Sequence, residues 1–305
     1  MIAQRALGVD VGGTKILAGV VDREGHVVRR DERATPQSSQ DALLEGLDSV
    51  VESLLDDDVV ALGFGLPSTI DQRTGRAVSS VHIPLADLDF RDRMSKRFPL
   101  PVAIDNDGNA AAIAEWKLGA GRGASHIVAL TLGTGIGGGL ILDGKPYRGS
   151  IGAGAELGHI VLDYGGVRCG GACTGHGHFE ALAAGSAADK AAVKRFGDDA
   201  TGRQLVEAAR GGDKGAADDL AEIGRRLGAG IASFVNVFNP ELVILGGGFA
   251  QAEELILESA QETLAVEALR PGRDLVRIVR AEFGGEAGMI GAALVGFEAL
   301  DAGAA

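Results

Sequence analysis

Asp10-Val11-Gly12-Gly13-Thr14-Lys15 decides the reading of this chain, because a segment of the same kind, Leu132-Gly133-Thr134-Gly135-Ile136-Gly137-Gly138, follows later in the sequence. In each, a glycine and threonine turn joins two apolar runs. Glycines without a Cβ let backbone N–H groups come close to a phosphate, and the threonine adds a hydroxyl donor. Neither segment has the GxxxxGK[ST] pattern of a P-loop. Alone, either one suits an ordinary tight turn; the matched pair is far more specific.

The surroundings of the two turns also match. Ala6–Asp10, Ile16–Asp22 and His26–Asp31 read as three strands of an antiparallel meander. Ile127–Leu132 and Leu140–Leu142 flank the second turn, with an acidic turn at Asp143-Gly144. The echo predicts an internal duplication with a period of about 120 residues, and hence two similar lobes. Between the meanders, Leu43, Leu44, Leu47, Val50, Val51, Leu54 and Leu55 recur at helical spacing, and Val59–Leu66 and Val102–Ile104 read as strands. Further on, Leu220, Ile223, Leu227, Ile231, Phe234 and Phe238 make a long helical stripe. It is broken at Asn239-Pro240 ahead of a strand at Leu242–Leu245 and the triplet Gly246-Gly247-Gly248. Met289–Leu300 reads as a final helix. The expected division is an N-terminal lobe over 1–118, joined by the helix at 289–305, and a C-terminal lobe over 119–288.

Length and composition agree with two lobes. The 305 residues suffice for two cores, 46% of them are hydrophobic, and 48 are glycine. A net charge of −13 without a Lys/Arg block argues against nucleic acid and anionic membranes as partners. The chain shows no signal-like start and no long apolar run, so a cytoplasmic protein is expected. The only cysteines, Cys169 and Cys173, lie in a segment with His159 and His178. The gaps are nine, three and four residues, a spacing that suits a tetrahedral Zn²⁺ better than a disulfide. His176 is a rival ligand.

Three more segments carry chemistry. Asn106-Asp107-Gly108-Asn109-Ala110 follows a short strand. Its Asp and Asn suit a helix N-cap, and Asp107 also suits a general base placed beside an acceptor hydroxyl. Glu156, Glu180 and Asn106 offer acceptors for vicinal sugar hydroxyls, although a lone Glu at 180 equally suits a solvated helix face. Asp10 is placed to hold hydrated Mg²⁺.

Together these segments resemble the ROK family of sugar kinases and repressors, within the actin-like superfamily. The likeness runs through Leu7–Asp22, Gly63–Asp71, Asn106–Glu115, Leu130–Gly144, Glu156–Glu180 and Pro240–Gly248, and is greatest to bacterial glucokinases. It implies an α/β, actin-like (ribonuclease H-like) duplicated two-lobe fold. It also implies ATP-dependent phosphorylation of a hexose, glucose first, with Asp107 as general base. The implied sugar set is Gly65, Asn106, Asp107, Glu156, His159 and Glu180, with Gly63–Thr69 as a loop across the sugar. The implied nucleotide set is Asp10, Gly12, Gly13, Thr14, Lys15, Gly133, Thr134, Gly135, Gly137, Gly246 and Gly247.

Two departures stand out. Ser68 replaces a glycine common in the family. The usual CxCGxxGC-x-E pattern after the ExGH histidine is here Cys169-Gly170-Gly171-Ala172-Cys173-Thr174-Gly175-His176-Gly177-His178-Phe179-Glu180, two residues longer and with histidine for the third cysteine. Counting back from Glu180 puts His178 in that place. The expected Zn²⁺, in a loop over 159–180, is structural and pins Glu180 and His159; the alternative is a metal-free glycine loop with two reduced cysteines. The family also implies a homodimer or homotetramer. Other hexoses, N-acetylated amino sugars and a polyphosphate donor remain open. A sugar-responsive, non-catalytic regulator is disfavoured, because the family's repressors carry a helix-turn-helix ahead of the first glycine turn, which here begins at Asp10.

Overall fold

A computed structural model describes residues 4–303. The apolar run ahead of the first glycine turn is strand β1 (Arg5–Val11) and the run after it β2 (Lys15–Val21). The charged β3 (Val27–Ala34) alternates between half-buried and exposed residues along its length. Helix α1 (Gln40–Leu54) starts at Ser39, whose hydroxyl accepts the Ala42 N–H at 3.1 Å, and buries Leu43, Leu44, Leu47, Val50, Val51 and Leu54. Each such side chain contributes roughly 1.5–3 kcal/mol of transfer free energy. β4 (Val59–Leu66) follows, then a small antiparallel sheet of β5 (Ser68–Asp71), β6 (Arg76–Ser80) and β7 (Ala86–Leu88). Next come α2 (Phe90–Arg97), β8 (Val102–Asn106) and α3 (Asp107–Lys117).

The second half begins with β9 (Ile127–Leu132), β10 (Ile136–Leu142) and β11 (Lys145–Tyr147). Four helices follow, α4 (Phe179–Ala183), α5 (Gly185–Phe196), α6 (Gly202–Arg210) and α7 (Lys214–Phe238). Then come β12 (Leu242–Gly246), α8 (Glu253–Glu267), α9 (Gly272–Leu275), β13 (Arg277–Arg280) and α10 (Ala287–Gly303). α7 stops where expected, with Asn239 in the left-handed region at φ 45° and Pro240 after it.

The duplication is explicit in the sheets. One runs β3-β2-β1-β4-β8 and the other β11-β10-β9-β12-β13, so the five strands of each half take the same order. In the first, β1 pairs antiparallel with β2 and parallel with β4, and β4 is parallel to β8. In the second, β10 is antiparallel to β11, while β12 is parallel to both β9 and β13. One local expectation is corrected. The glycine run does not stay a turn as far as Gly139, because β10 already begins at Ile136, its Gly-rich start being extended backbone.

The described residues pack as two units, 4–123, 139–155 and 282–303 in the first and 124–138 and 156–281 in the second. Residues 139–155 fall in the first unit, where Arg148 is ion-paired to Asp105. The first unit has two apolar clusters. One joins α1 to β1, β2 and β4, and the other joins Ala6, Leu17 and Ala61 to Met289, Ile290, Ala293 and Phe297 of α10. α10 lies so close to its neighbours that a Cβ at Gly63 would fall 1.8 Å from the Ala292 carbonyl oxygen. One at Gly291 would fall 1.7 Å from that of Ala110. Buried Glu115 ties the end of α3 to this region, its carboxylate accepting N–H groups of Ala120 (3.1 Å), Glu282 (3.0 Å) and Phe283 (2.9 Å). A buried carboxylate needs such partners. In the second unit α7 packs along α8, and Phe179 meets Phe234 edge-on with centroids 6.0 Å apart.

Candidate active site

In the first unit, the ends of parallel strands β1, β4 and β8 bring Asp10, Gly65 and Asn106 to one edge. Asp10 pairs with Gly65, and Leu66 with Asn106. Ligands of parallel α/β sheets gather at this carboxyl edge. A methyl group at Gly65 would lie 3.4 Å from the Ala110 Cβ, 3.5 Å from the Asp107 Cα and 3.7 Å from Asp10 Oδ1, ordinary contact distances that place Gly65 between the two carboxylate-bearing residues. The first glycine turn is held by its carbonyls. Thr35 Oγ1 donates to the Gly12 C=O at 2.7 Å, the Thr35 N–H to that of Thr14 at 3.0 Å, and the Gln37 amide to that of Gly13. Lys15 is paired with Glu32 at 3.0 Å.

Asp107 is the first residue of α3. Asn106 is the helix N-cap, its Oδ1 accepting N–H groups of Gly108 (2.9 Å) and Asn109 (3.3 Å). The capping and catalytic readings of this segment therefore fall on neighbouring residues. Burial, and then the charge of Asp107, push the Asp10 carboxyl up to about 7, with Lys15 opposing. Burial raises Asp107 as well, against the Gly108 N–H and the charge of His82. The charge of Asp107 opposes ionisation of its half-buried neighbour Asp10, an effect that a cation between them would relieve, and an oxygen-only donor set suits Mg²⁺. His82, in the loop after β6, went unnoticed in the sequence, where nothing marks it.

In the second unit, the second glycine turn and Gly246-Gly247 sit together at the ends of parallel strands β9 and β12, with Gly246 opposite Thr131. Gly247 adopts φ 87°, and a Cβ there would lie 2.4 Å from the Leu132 carbonyl oxygen. The start of α5 is bonded to the turn, the Gly185 N–H to the Gly133 C=O at 2.8 Å and that of Ser186 to Thr134 at 3.1 Å. A helix N-terminus beside a glycine turn favours an anion.

Glu180, in the first turn of α4, reaches the same turn. Its Oε2 accepts the Ile136 N–H at 2.9 Å, and its Oε1 lies 3.6 Å from Cys169 Sγ. A Cβ at Gly135 would come within 2.0 Å of that carboxylate. Glu180 is thus no free surface carboxylate, but links the glycine turn to the Cys/His loop. Glu156 is exposed at the start of the short Leu157–His159 turn.

His159, Cys169, Cys173 and His178 converge, with their ligand atoms all within 4.8 Å of one another. His159 Nδ1 is 3.1 Å from His178 Nδ1 and 3.9 Å from each sulfur, and Cys173 Sγ is 3.5 Å from His178 Nδ1. A zinc tetrahedron with bonds of about 2.3 Å to sulfur and 2.0–2.1 Å to nitrogen has edges of about 3.3–3.8 Å; the donor set suits Zn²⁺, four of the separations lie within a few tenths of an ångström of those edges, and the widest, up to 4.8 Å, would close on binding. Burial, then Glu180, push the Cys169 thiol up to about 12, which a bound cation would reverse. His176 is exposed and outside the cluster. His159 turns Nδ1 to the cluster, leaving Nε2 for a hydroxyl.

Comparison with known proteins gives the family and the fold. The profile of the ROK family matches residues 6–297. A glucokinase of Streptomyces coelicolor is 33% identical over 309 residues, spanning 94% of this chain and 96% of its own. Among solved structures, a ROK family glucokinase from Streptomyces griseus in complex with glucose and AMPPNP superposes with a TM-score of 0.85 at 32% identity, over 96% of this chain and 99% of that one. A ROK hexokinase from Thermus thermophilus gives 0.82 at 35% identity, over 98% and 100%. The architecture is the actin-like two-lobe sugar kinase fold.

Proposed function

The chain belongs to the ROK family, and on that premise we propose that it is a hexose kinase that phosphorylates glucose at the expense of ATP. The observation that carries the reading is the pair Asp10 and Asp107 around Gly65, one carboxylate suited to a hydrated Mg²⁺ and the other to an acceptor hydroxyl.

In the reaction, Asp107 accepts the proton of the attacking sugar hydroxyl as its oxygen bonds to the γ-phosphorus and the bond to the β–γ bridging oxygen breaks. A raised pKa makes Asp107 a better acceptor than an ordinary carboxylate, and positioning supplies most of the rate. Each unit carries a glycine turn suited to phosphate oxygens, Gly13-Thr14 in the first and Thr134-Gly135 in the second, while the N–H groups of Gly12 and Gly133 donate to the Lys15 and Gly135 carbonyls, and Gly246 and Gly247 admit the nucleoside near the backbone. Bound Mg²⁺ would offset polyphosphate charge. Asn106, Glu156, Glu180 and His159 Nε2 orient the sugar, and Zn²⁺ at the Cys/His cluster would cross-link the loop that bears two of them. No described helix is long and apolar enough to cross a membrane. A homodimer or homotetramer would account for the exposed Val161, Val167, Val237, Val266 and Leu269 of the second unit.

The test is an ADP-release assay with ATP and Mg²⁺ across glucose, mannose, fructose, N-acetylglucosamine and N-acetylmannosamine. Glucose is expected to be the best acceptor. A higher kcat/KM on an N-acetylated sugar would reassign the substrate, and folded protein inactive on every sugar would refute the kinase.

A further inference from the structure

Asp105, fully buried in β8 two residues before Asp107, belongs to no role assigned above. A carboxylate removed from water is costly unless it is paired and its lone pairs are filled. Here Oδ2 accepts both Arg148 Nε and Nη2 at 2.7 Å. Oδ1 accepts the Asn106 N–H at 2.8 Å, Asn109 Nδ2 at 3.1 Å and Gln72 Nε2 at 3.3 Å.

These partners hold two segments. Asn106 and Asn109 belong to the capped turn that presents Asp107. Arg148 begins a loop closed on itself, its C=O accepting the Gly154 N–H at 2.9 Å, and the loop is tied to Gln72, whose N–H donates to the Ile151 C=O at 2.7 Å. The loop ends at Ala155, held in the left-handed region at φ 65°. For a residue with a Cβ this conformation is strained and persists only where the surroundings enforce it. The next residue is Glu156.

We propose that Arg148 is a positioning residue: through its charge-assisted pair with buried Asp105 it fixes both the Asn106–Asp107 turn and the strained approach to Glu156. The assignment rests on the kinase reading of Asp107 and Glu156. A buried ion pair is a weak source of stability compared with an apolar replacement, so a role in geometry accounts for the pair better than a role in stability. Arginine suits it because its planar fork sets two N–H donors on one oxygen, which lysine cannot reproduce.

Two variants test this. Arg148→Lys keeps the charge and loses the fork, and the double variant Asp105→Asn/Arg148→Met removes both charges together. Each is expected to lower kcat about tenfold or more, with the KM for ATP within about twofold, as a small misplacement of reacting groups would. Thermal midpoints, measured alongside, are expected to stay within a few degrees of the parent for Arg148→Lys. Full turnover in the folded Arg148→Lys protein would overturn the proposal. If the parent protein phosphorylates no hexose, the kinase reading fails separately. Hydrogen exchange at the 151–156 amides then decides: about tenfold faster exchange in Arg148→Lys supports the clamp, and unchanged exchange refutes it.

Discussion

Replacing Asp10 by asparagine should make the protein more stable and much less active. Burial and the neighbouring Asp107 charge raise the Asp10 pKa from 3.8 to about 7 in the folded chain. Below pH 3.8 the group is protonated whether the chain is folded or not, and its contribution to stability is fully present. As pH rises through about 7 the folded state holds a proton that the unfolded chain has already released, so stability is lost until the folded group also ionises. The gap is about three pH units, and at about 1.4 kcal/mol each it corresponds to on the order of 4 kcal/mol, of which about 3 kcal/mol falls between pH 5 and 8. Asparagine has nearly the same shape and cannot ionise. Urea unfolding of both proteins, without nucleotide, should show the variant's advantage growing by about that amount from pH 5 to 8. Turnover with Mg²⁺ and ATP should fall by about 10²-fold or more, because a neutral amide is a poor Mg²⁺ ligand. A stability difference independent of pH would refute the assigned environment of Asp10.

Other outcomes are expected. Asp107→Ala should lower kcat by about 10²-fold or more with sugar KM little changed; normal turnover in the folded variant would remove its role as base. Metal analysis should find one zinc per chain, lost in His178→Ala and kept in His176→Ala, and the reverse pattern would move the fourth ligand to His176. Gly291→Ala adds a methyl 1.7 Å from the Ala110 carbonyl oxygen. It should cost about 3 kcal/mol or more, or prevent folding, and a midpoint equal to the parent's would contradict the close seating of α10.

The repeated sheet was legible because its signals are local. Asp10–Lys15 and Leu132–Gly138 each announce a strand, a turn and another strand within a short window, and the equal strand orders follow from that repetition. The same holds for α1 and α7, whose apolar period is visible without partners. The sheet of β5, β6 and β7 is not visible in this way, since strands of three to five residues such as Ala86–Leu88 carry no period to read. In the site, residues gathered by spacing were found, among them His159, Cys169, Cys173 and His178. Those gathered by tertiary contact were not. Arg148 meets Asp105 across 43 residues of sequence, and Gln72 meets it across 33, with no composition or motif to link them. The tie from Glu180 to Ile136 spans 44, so the sequence suggested a sugar ligand and gave no hint of its bond to the glycine turn.

The seating of α10 against β1, β4 and α3 sets an order of events during translation. Ala6, Leu17 and Ala61 leave the ribosome before any residue of the second unit is made, and the Met289, Ile290, Ala293 and Phe297 side chains that cover them are made only after all of it. At about 5–20 residues per second, roughly 10–50 s separate Ala61 from Phe297. The second unit has all of its residues by Ala281 and can fold first. The nascent first unit meanwhile carries an uncovered apolar face, which makes that interval the one in which a holding chaperone would matter most.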